Sequence, residues 1–176
     1  PMTSTLAVYE LFFQGRPVRD QRSLDAMAPA VREDYLKSKA QIDEVGLPVE
    51  LLENAMAYEK AFYDAGGILA AGVDPTGNGG ALPGYGDQRN YELLVEAGFA
   101  PEAAVQVLTS NGAKVLGNLD DLGTVEAGKI ADLIVMEGDL TADPSVIRNV
   151  TIVFKDGVGY DSPKMLADVT GRVGIS

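Results

Sequence analysis

Two continuous apolar runs stand out along the chain, at residues 5–13 and 68–73. Neither run alternates between apolar and polar residues, as a strand with one face in water would. Gly15 follows the first run closely, and Asp74 ends the second. Both runs therefore predict buried strands of the kind found in parallel sheets.

Between and after these runs, apolar residues recur every three or four positions, which is the spacing of one helix face. A third, short helix is predicted at residues 90–97, and a fourth begins at Pro101 and ends at Gly117. The order of strand, helices, strand and helices is typical of a parallel α/β fold. The first two helices are indicated by Leu24, Ala28, Val31 and Tyr35, and by Leu51, Ala55, Tyr58 and Phe62.

The last third of the chain has a different pattern. Residues 131–136 and 150–155 are short runs rich in valine and isoleucine, which favours strands. Asp156 and Gly157 follow the second run and form a sequence typical of a tight hairpin turn. A last helical turn is predicted at residues 166–170. The pattern thus indicates a small strand-rich module at the end of the chain.

Composition and charge restrict the partners and the chemistry. The 176 residues include 26 acidic and 14 basic side chains, a net charge of −12, so nucleic acid and anionic membrane surfaces would be repelled. No apolar run approaches the roughly 20 residues of a membrane-spanning helix. Histidine and cysteine are absent, which removes the commonest general base and the thiolate ligands of metals. The composition does not indicate a cellular compartment.

Asp74 is the candidate for chemistry that the residue pattern suggests, because it ends an apolar strand and a glycine-rich loop follows it. Such a carboxylate can bind a metal ion or accept a proton, and it can equally cap the turn that follows. The loop at residues 77–80 lacks the spacing of a phosphate-binding motif, so a phosphate site is the weaker interpretation.

Three further strings carry a resemblance to a known family. They are FAPEAAVQ, TSNGAKVLG and GTVEAGKIADL, and the third, at residues 123–133, is the most specific. In the third string, Asp132 is predicted to accept hydrogen bonds from turn amides, and Lys129 to remain in water. From about Leu6 to its end, the chain resembles the C-terminal part of the metal-dependent amidohydrolase superfamily, in particular its imidazolonepropionase-like and Xaa-Pro-dipeptidase-like members.

The resemblance implies a fold. Residues 1–117 would be the last two β/α units of a (β/α)8 TIM-like barrel, and residues 118–176 the C-terminal strands of a small β-sandwich. This is less than half of the usual length, so we expect a piece of a longer chain, entered midway. Dimers or larger assemblies are common in the family, which implies a homo-oligomer.

The resemblance also implies site residues. Asp74 would be the carboxylate at the end of the last barrel strand, which binds the metal, usually zinc, and accepts the proton of the attacking water. Tyr85 and Arg89 would be substrate contacts, since a guanidinium can pair with a substrate carboxylate. For Arg89, a solvent-facing or aspartate-paired side chain is an equal alternative.

The remaining metal ligands of the family, mostly histidines, have no counterpart in this sequence. One aspartate cannot hold zinc, which takes about four ligands. We therefore expect the chain alone to be inactive, and activity on an amide, a dipeptide, an N-acyl amino acid or a cyclic amide to require the N-terminal part of the parent enzyme. The alternative is a non-catalytic structural or interaction module derived from the same scaffold.

Overall fold

The computed structural model describes residues 1–16, 20–75 and 79–174. Helices carry most of the regular structure, and the strands form two small, separate sheets. Within the described residues, no helix is both long and apolar enough to cross a membrane. The elements are β1 (Met2–Ser4), α1 (Leu6–Tyr9), a 3₁₀ turn (Glu10–Phe12), α2 (Gln21–Ala26), α3 (Pro29–Val45), α4 (Glu50–Asp64), β2 (Leu69–Ala71), α5 (Tyr85–Glu96), α6 (Pro101–Leu108), α7 (Ser110–Val115), β3 (Leu133–Met136), a second 3₁₀ turn (Pro144–Arg148), β4 (Val150–Lys155), β5 (Val158–Asp161) and α8 (Ser162–Val169).

The first sheet is a parallel pair, β1 and β2, in which Thr3 lies opposite Ala70. The N–H of Met2 donates to the carbonyl of Ile68 at 2.9 Å, and the N–H of Gly72 donates to that of Ser4 at 2.9 Å. Because the strands are parallel, their C-terminal ends lie at the same edge of the sheet. This confirms the predicted parallel α/β organisation and the second strand.

The first predicted strand, at residues 5–13, is wrong. β1 ends at Ser4, and the apolar run that follows forms α1 and a 3₁₀ turn. Leu6, Ala7 and Val8 are all buried, at 2%, 3% and 6% exposure. A short, nearly continuous apolar run has no clear period, so its sequence does not distinguish a strand from a helix.

The predicted helices exist with changed bounds. A non-helical break at Met27 and Ala28 separates α2 from α3, and Thr109 separates α6 from α7. The helix predicted at residues 90–97 begins earlier, at Tyr85. On α4 the buried positions are Leu52 and Met56, so the predicted apolar face is wrong at Leu51 and Tyr58, which are 44% and 65% exposed.

The main core lies between the first sheet and the helices α1, α4, α5 and α6. A polar link crosses it where β1 ends, because Asn90 of α5 and Ser4 are both fully buried. The Nδ2 of Asn90 donates to Ser4 Oγ at 3.3 Å, and its Oδ1 accepts from the N–H of Ala7 at 3.1 Å. These bonds hold the C-terminal end of β1 against α5. The buried members of the core are Leu6, Ala7, Phe13, Leu52, Met56, Leu69, Tyr91, Leu93, Leu94, Phe99, Ala104 and Val107.

The second sheet is an antiparallel meander of β3, β4 and β5, with β4 in the centre. The predicted hairpin turn is confirmed: Asp156 and Gly157 have φ values of 50° and 77°, as a tight turn between antiparallel strands requires. None of the residues of these three strands, all of which the structure describes, is buried. The last helical turn is also present, as the longer α8.

Two predictions for the string at residues 123–133 have different outcomes. Asp132 accepts the N–H of Asp156 at 2.8 Å, so it does bind a turn amide. Lys129 does not remain in water, because its side chain is only 14% exposed and its Nζ donates to the carbonyl of Leu119 at 2.7 Å. A lysine whose ammonium meets loop carbonyls can be buried along its stem, which the sequence alone did not reveal.

Candidate functional site

Asp74 lies where β2 leaves the first sheet, at the edge formed by the C-terminal ends of β1 and β2. Its side chain is exposed. Its φ of 44° is in the left-handed region, which a residue other than glycine adopts at some cost in backbone energy. Active sites of parallel α/β folds gather at this edge of the sheet. The structure therefore places the predicted carboxylate where such chemistry occurs.

Two glycines allow close contacts beside Asp74. A Cβ on Gly86, in the first turn of α5, would lie 2.2 Å from Cγ2 of Val73. A Cβ on Gly80 would lie 2.5 Å from the ring of Tyr35. Any side chain at these positions would displace its neighbour, so the two glycines set how closely α5 and Tyr35 approach the segment that carries Asp74.

The structure contains a cavity of about 60 Å³, and Asp74 is not among its described lining residues. The cavity is bounded by α1 and the 3₁₀ turn after it, by α2, α3 and α5, and by the end of the glycine-rich loop. In sequence, α1 and the 3₁₀ turn follow β1, and the loop and α5 follow β2. The walls of the cavity include Glu10, Ser23, Tyr35, Gly80, Tyr85 and Arg89.

Arg89, one of the two predicted substrate contacts, lines this cavity but is bound by the protein's own carboxylates. Its Nε and Nη2 donate to the two oxygens of Glu10, each at 2.8 Å, and its Nη1 donates to Glu92 Oε2 at 2.8 Å. Burial alone would lower the pKa of Arg89, but hydrogen bonds and negative charge from Glu10 and Glu92 outweigh burial and raise it. Nη2 also donates to Glu96 Oε2 at 3.4 Å, so Arg89 makes four hydrogen bonds to the protein's own carboxylates out of the five that it can donate.

Glu10 is the centre of a wider ionic network. Its side chain is only 8% exposed, and it also accepts a hydrogen bond from Nε of Arg16 at 2.7 Å. Arg16 in turn binds both oxygens of Glu96, at 2.8 and 2.9 Å. On the other side, Nη2 of Arg148 donates to Glu92 at 2.6 Å. The network joins α5 to the turn after α1 and to the 3₁₀ turn before β4.

Tyr85, the second predicted substrate contact, forms another wall of the cavity at the start of α5. Burial raises its pKa, and the nearby Arg22, which lies 5.8 Å from the ring centre, opposes that shift. Tyr35 faces the same cavity, and burial together with the negative charges of Glu10 and Asp43 raises its pKa. Both phenols therefore stay protonated over the neutral range and can donate a hydrogen bond to a ligand.

Glu10 and Tyr35 were not identified as site residues from the sequence. Glu10 had a detectable signal, because it is a lone charge inside an apolar run, and such a charge is buried only when it is paired. Its partner Arg89 is distant in sequence, which no local pattern indicates. The only signal of Tyr35 in the sequence is its position at helical spacing from other apolar residues. The structure brings Tyr35, Tyr85 and Arg89 together at one cavity.

The described side chains do not by themselves match the metal that the resemblance implies. Among the described residues, no three aspartate, glutamate, histidine or cysteine side chains are grouped so that they could hold a metal ion. Asp74 offers one carboxylate, so these residues by themselves do not fit a zinc site.

Thr76, Gly77 and Asn78 of the glycine-rich loop lie outside the described residues. The interpretation of this loop as a phosphate site therefore also falls outside them.

The sequence of the chain also matches a known protein family. The family model described as the amidohydrolase family matches residues 35–159, which is most of the chain. This chain belongs to the amidohydrolase family. An imidazolonepropionase from Clostridium tetani is similar to this amidohydrolase chain, with 28% identity over 91 residues, 49% of this chain and 20% of the relative. The resemblance inferred from the sequence is therefore confirmed.

Solved structures agree with the family. A Xaa-Pro dipeptidase with bound methionine in its active site is 26% identical and superposes with a TM-score of 0.53 over 80% of this chain and 34% of its own. Bottromycin amidohydrolase, at 19% identity, shares the fold with a TM-score of 0.66 over 95% of this chain and 38% of its own. The amidohydrolase chain thus spans between a fifth and two fifths of the length of these three proteins.

Proposed function

We propose that this chain is the C-terminal part of a metal-dependent hydrolase that cleaves C–N bonds in an amide, a dipeptide, an N-acyl amino acid or a cyclic amide. Membership of the amidohydrolase family and the amide-cleaving proteins among its structural neighbours support this. The proposal depends most on one observation, which is that Asp74 follows β2 at the C-terminal edge of the parallel strands.

Asp74 would accept the proton of the attacking water. An exposed carboxylate at this edge can approach a substrate bound above the strands, as a general base must. When a metal is bound, it would polarise the scissile carbonyl, and Asp74 would contribute one oxygen ligand. The other ligands would come from the N-terminal part of the parent protein, because the described residues do not supply them.

The exposed strands support the need for that N-terminal part. Ile134 of β3 and Tyr160 of β5 are 58% and 44% exposed on a sheet without a buried residue. The first sheet has only two strands, so each of them has an edge without a partner strand among the described residues. We propose that further barrel strands pair with these edges, that N-terminal strands complete the small sheet as a sandwich, and that the complete enzyme is a homo-oligomer.

The test compares this chain with the parent polypeptide that contains it. Both are assayed on N-acyl amino acids, Xaa-Pro dipeptides and a cyclic amide, and their bound metal is measured by mass spectrometry. We expect the parent to hydrolyse one of these classes and to lose that activity on treatment with a chelator, while the chain alone is inactive. Activity of the chain alone would show that it holds a complete site.

A parent that binds no metal and hydrolyses none of these substrates would favour the second candidate, a non-catalytic interaction module. One observation favours that alternative: the described residues lack any group that could hold a metal. The mass of the natural protein separates the two candidates further. A stable, metal-free species of 18.6 kDa supports the module, whereas a protein of more than about twice that mass supports the enzyme.

A further inference from the structure

We propose that residues 171–174, the C-terminal strap, hold the wall of the candidate cavity in place, with Val173 as a positioning residue. This inference rests on the proposed function in one respect only, which is that the cavity is taken to bind substrate. The strap follows α8, at the far end of the strand-rich module, yet it returns to the break between α2 and α3.

Three backbone hydrogen bonds join the strap to that break. The N–H of Gly171 donates to the carbonyl of Asp25 at 2.8 Å, and the N–H of Val173 donates to that of Ala26 at 2.9 Å. In return, the N–H of Ala28 donates to the carbonyl of Val173 at 2.9 Å. Met27 and Val173 thereby form a parallel β-bridge.

The break needs such partners. Met27 and Ala28 lie between two helices, and Ala28, which precedes α3, has no side-chain group to cap it. Met27 and Ala28 are also buried, at 2% and 7% exposure, and a buried backbone N–H requires an acceptor. The strap supplies the acceptor for Ala28, so it fixes the angle at which α3 leaves α2.

Side-chain packing connects the strap to the cavity. Val173 packs against the second apolar cluster, which contains Leu24, Met27 and Tyr35, and Tyr85 packs against the same cluster. Tyr35 and Tyr85 are the two aromatic walls of the cavity. The strap continues into Gly174, where a Cβ would lie 2.6 Å from Val31 of α3. Loss of the strap would therefore release α2, α3 and both phenols, while Asp74 on the β2 side keeps its position.

The first experiment needs no catalysis. Hydrogen exchange is followed by mass spectrometry in the natural protein that contains this chain, in a form truncated after Thr170, and in Val173→Ala, with Val125→Ala as the control because Val125 is 85% exposed. We expect exchange in residues 21–45 to increase by about tenfold or more in the truncated form and less in Val173→Ala. Exchange in α4 and in the control should not change.

Unchanged exchange in residues 21–45 would overturn the inference. An equal increase in α4 would also overturn it, because the strap would then support the whole fold. If the truncated form does not fold, Val173→Ala decides by the same criteria.

The second experiment measures kinetics in the parent enzyme. Val173→Ala should raise KM by about threefold or more and leave kcat within about twofold, since the strap acts on the cavity wall and not on Asp74. An equal fall in kcat and kcat/KM would contradict the positioning role. If the parent hydrolyses no substrate, the proposed function fails, and hydrogen exchange still decides whether the strap holds α2 and α3.

Discussion

Arg89 and Glu10 are joined by two parallel hydrogen bonds of 2.8 Å, from Nε to Oε2 and from Nη2 to Oε1. Their side chains are 15% and 8% exposed, so the pair is shielded from water. A two-bond guanidinium–carboxylate pair is the strongest ordinary form of salt bridge. In this structure Arg89 therefore stabilises the fold through its ion pair, whether or not it also contacts a ligand.

Glu10→Gln should destabilise the chain strongly. The substitution removes the charge that neutralises Arg89 and Arg16, and breaking a buried ion pair by removing one partner costs about 3–5 kcal/mol. Urea unfolding followed by circular dichroism measures the change. Glu33→Gln is the matched control, because Glu33 and its partner Lys37 are both 68% exposed, and its effect should stay below about 1 kcal/mol. Equal effects of the two substitutions would show that burial of the network contributes nothing.

Asp74→Asn should abolish most turnover in the parent enzyme without unfolding it. The amide keeps the size and one acceptor oxygen but cannot accept the proton, and loss of a general base typically costs about 10² to 10⁴ in rate. Hydrolysis rates and bound metal are measured on the same preparations. Asp34→Asn serves as the control, because Asp34 is also an exposed aspartate, on α3. Parental activity in Asp74→Asn would show that another group accepts the proton.

Glu59→Gln should stabilise the chain at neutral pH and have no effect in acid. Burial raises the pKa of Glu59, although a hydrogen bond with Ser4 opposes this, and its Oε2 is buried without a partner among the described residues. The folded state thus binds this proton more tightly than the unfolded state, so stability is lost as pH rises from the ordinary glutamate pKa of 4.5 through the raised folded value.

Thermal midpoints of parent and Glu59→Gln chains between pH 3.5 and 7.5 check this. The two curves should coincide at the acid end and separate as pH rises, with the variant higher. Glu53→Gln, an exposed neighbour on the same helix, should follow the parent curve. A variant that is less stable at pH 7.5 would mean that the ionised carboxylate is favoured in the fold.

The isolated chain should associate through its second sheet. Ile134 is 58% exposed on the outer strand β3, and an open apolar strand edge is a site for pairing with another chain. Sedimentation velocity over a range of concentrations should show species larger than a monomer. Ile134→Lys should reduce them, whereas Val125→Lys, at a loop position that is 85% exposed, should not. A dilute monomer that unfolds cooperatively and stays monomeric when concentrated would contradict this.

The sequence predicted the elements whose signals are local. The apolar run at residues 68–73 predicted β2. Asp156 and Gly157 predicted the turn between β4 and β5, because two residues with left-handed backbone conformation fit a tight hairpin turn. Residues 5–13 predict the wrong element, because a short, nearly continuous apolar run has no period that separates a strand from a helix. The barrel and the division at residue 117 remain predictions.

The sequence predicts only part of the candidate site, because only signals that are local in the sequence can be recognised. Asp74 was identified because the end of a strand is visible in the sequence. The ion pair of Glu10 with Arg89 and the approach of Gly80 to Tyr35 depend on where distant segments meet. The strap shows this most clearly, because Val173 carries no local signal of its partner Met27.

The pairing of Met2 with Leu69 also sets an order of folding. The β4–β5 hairpin joins neighbouring strands across a two-residue turn and can form within about 1–10 μs. In contrast, β1 and β2 can pair only after the long segment between them has been ordered. Their pairing therefore costs more loop-closure entropy. The small sheet should therefore gain protection first in pulsed hydrogen exchange during refolding, and the edge that carries Asp74 should be among the last parts to form. On a ribosome, β1 would emerge before β2 and would wait for this partner while α2, α3 and α4 are still being made.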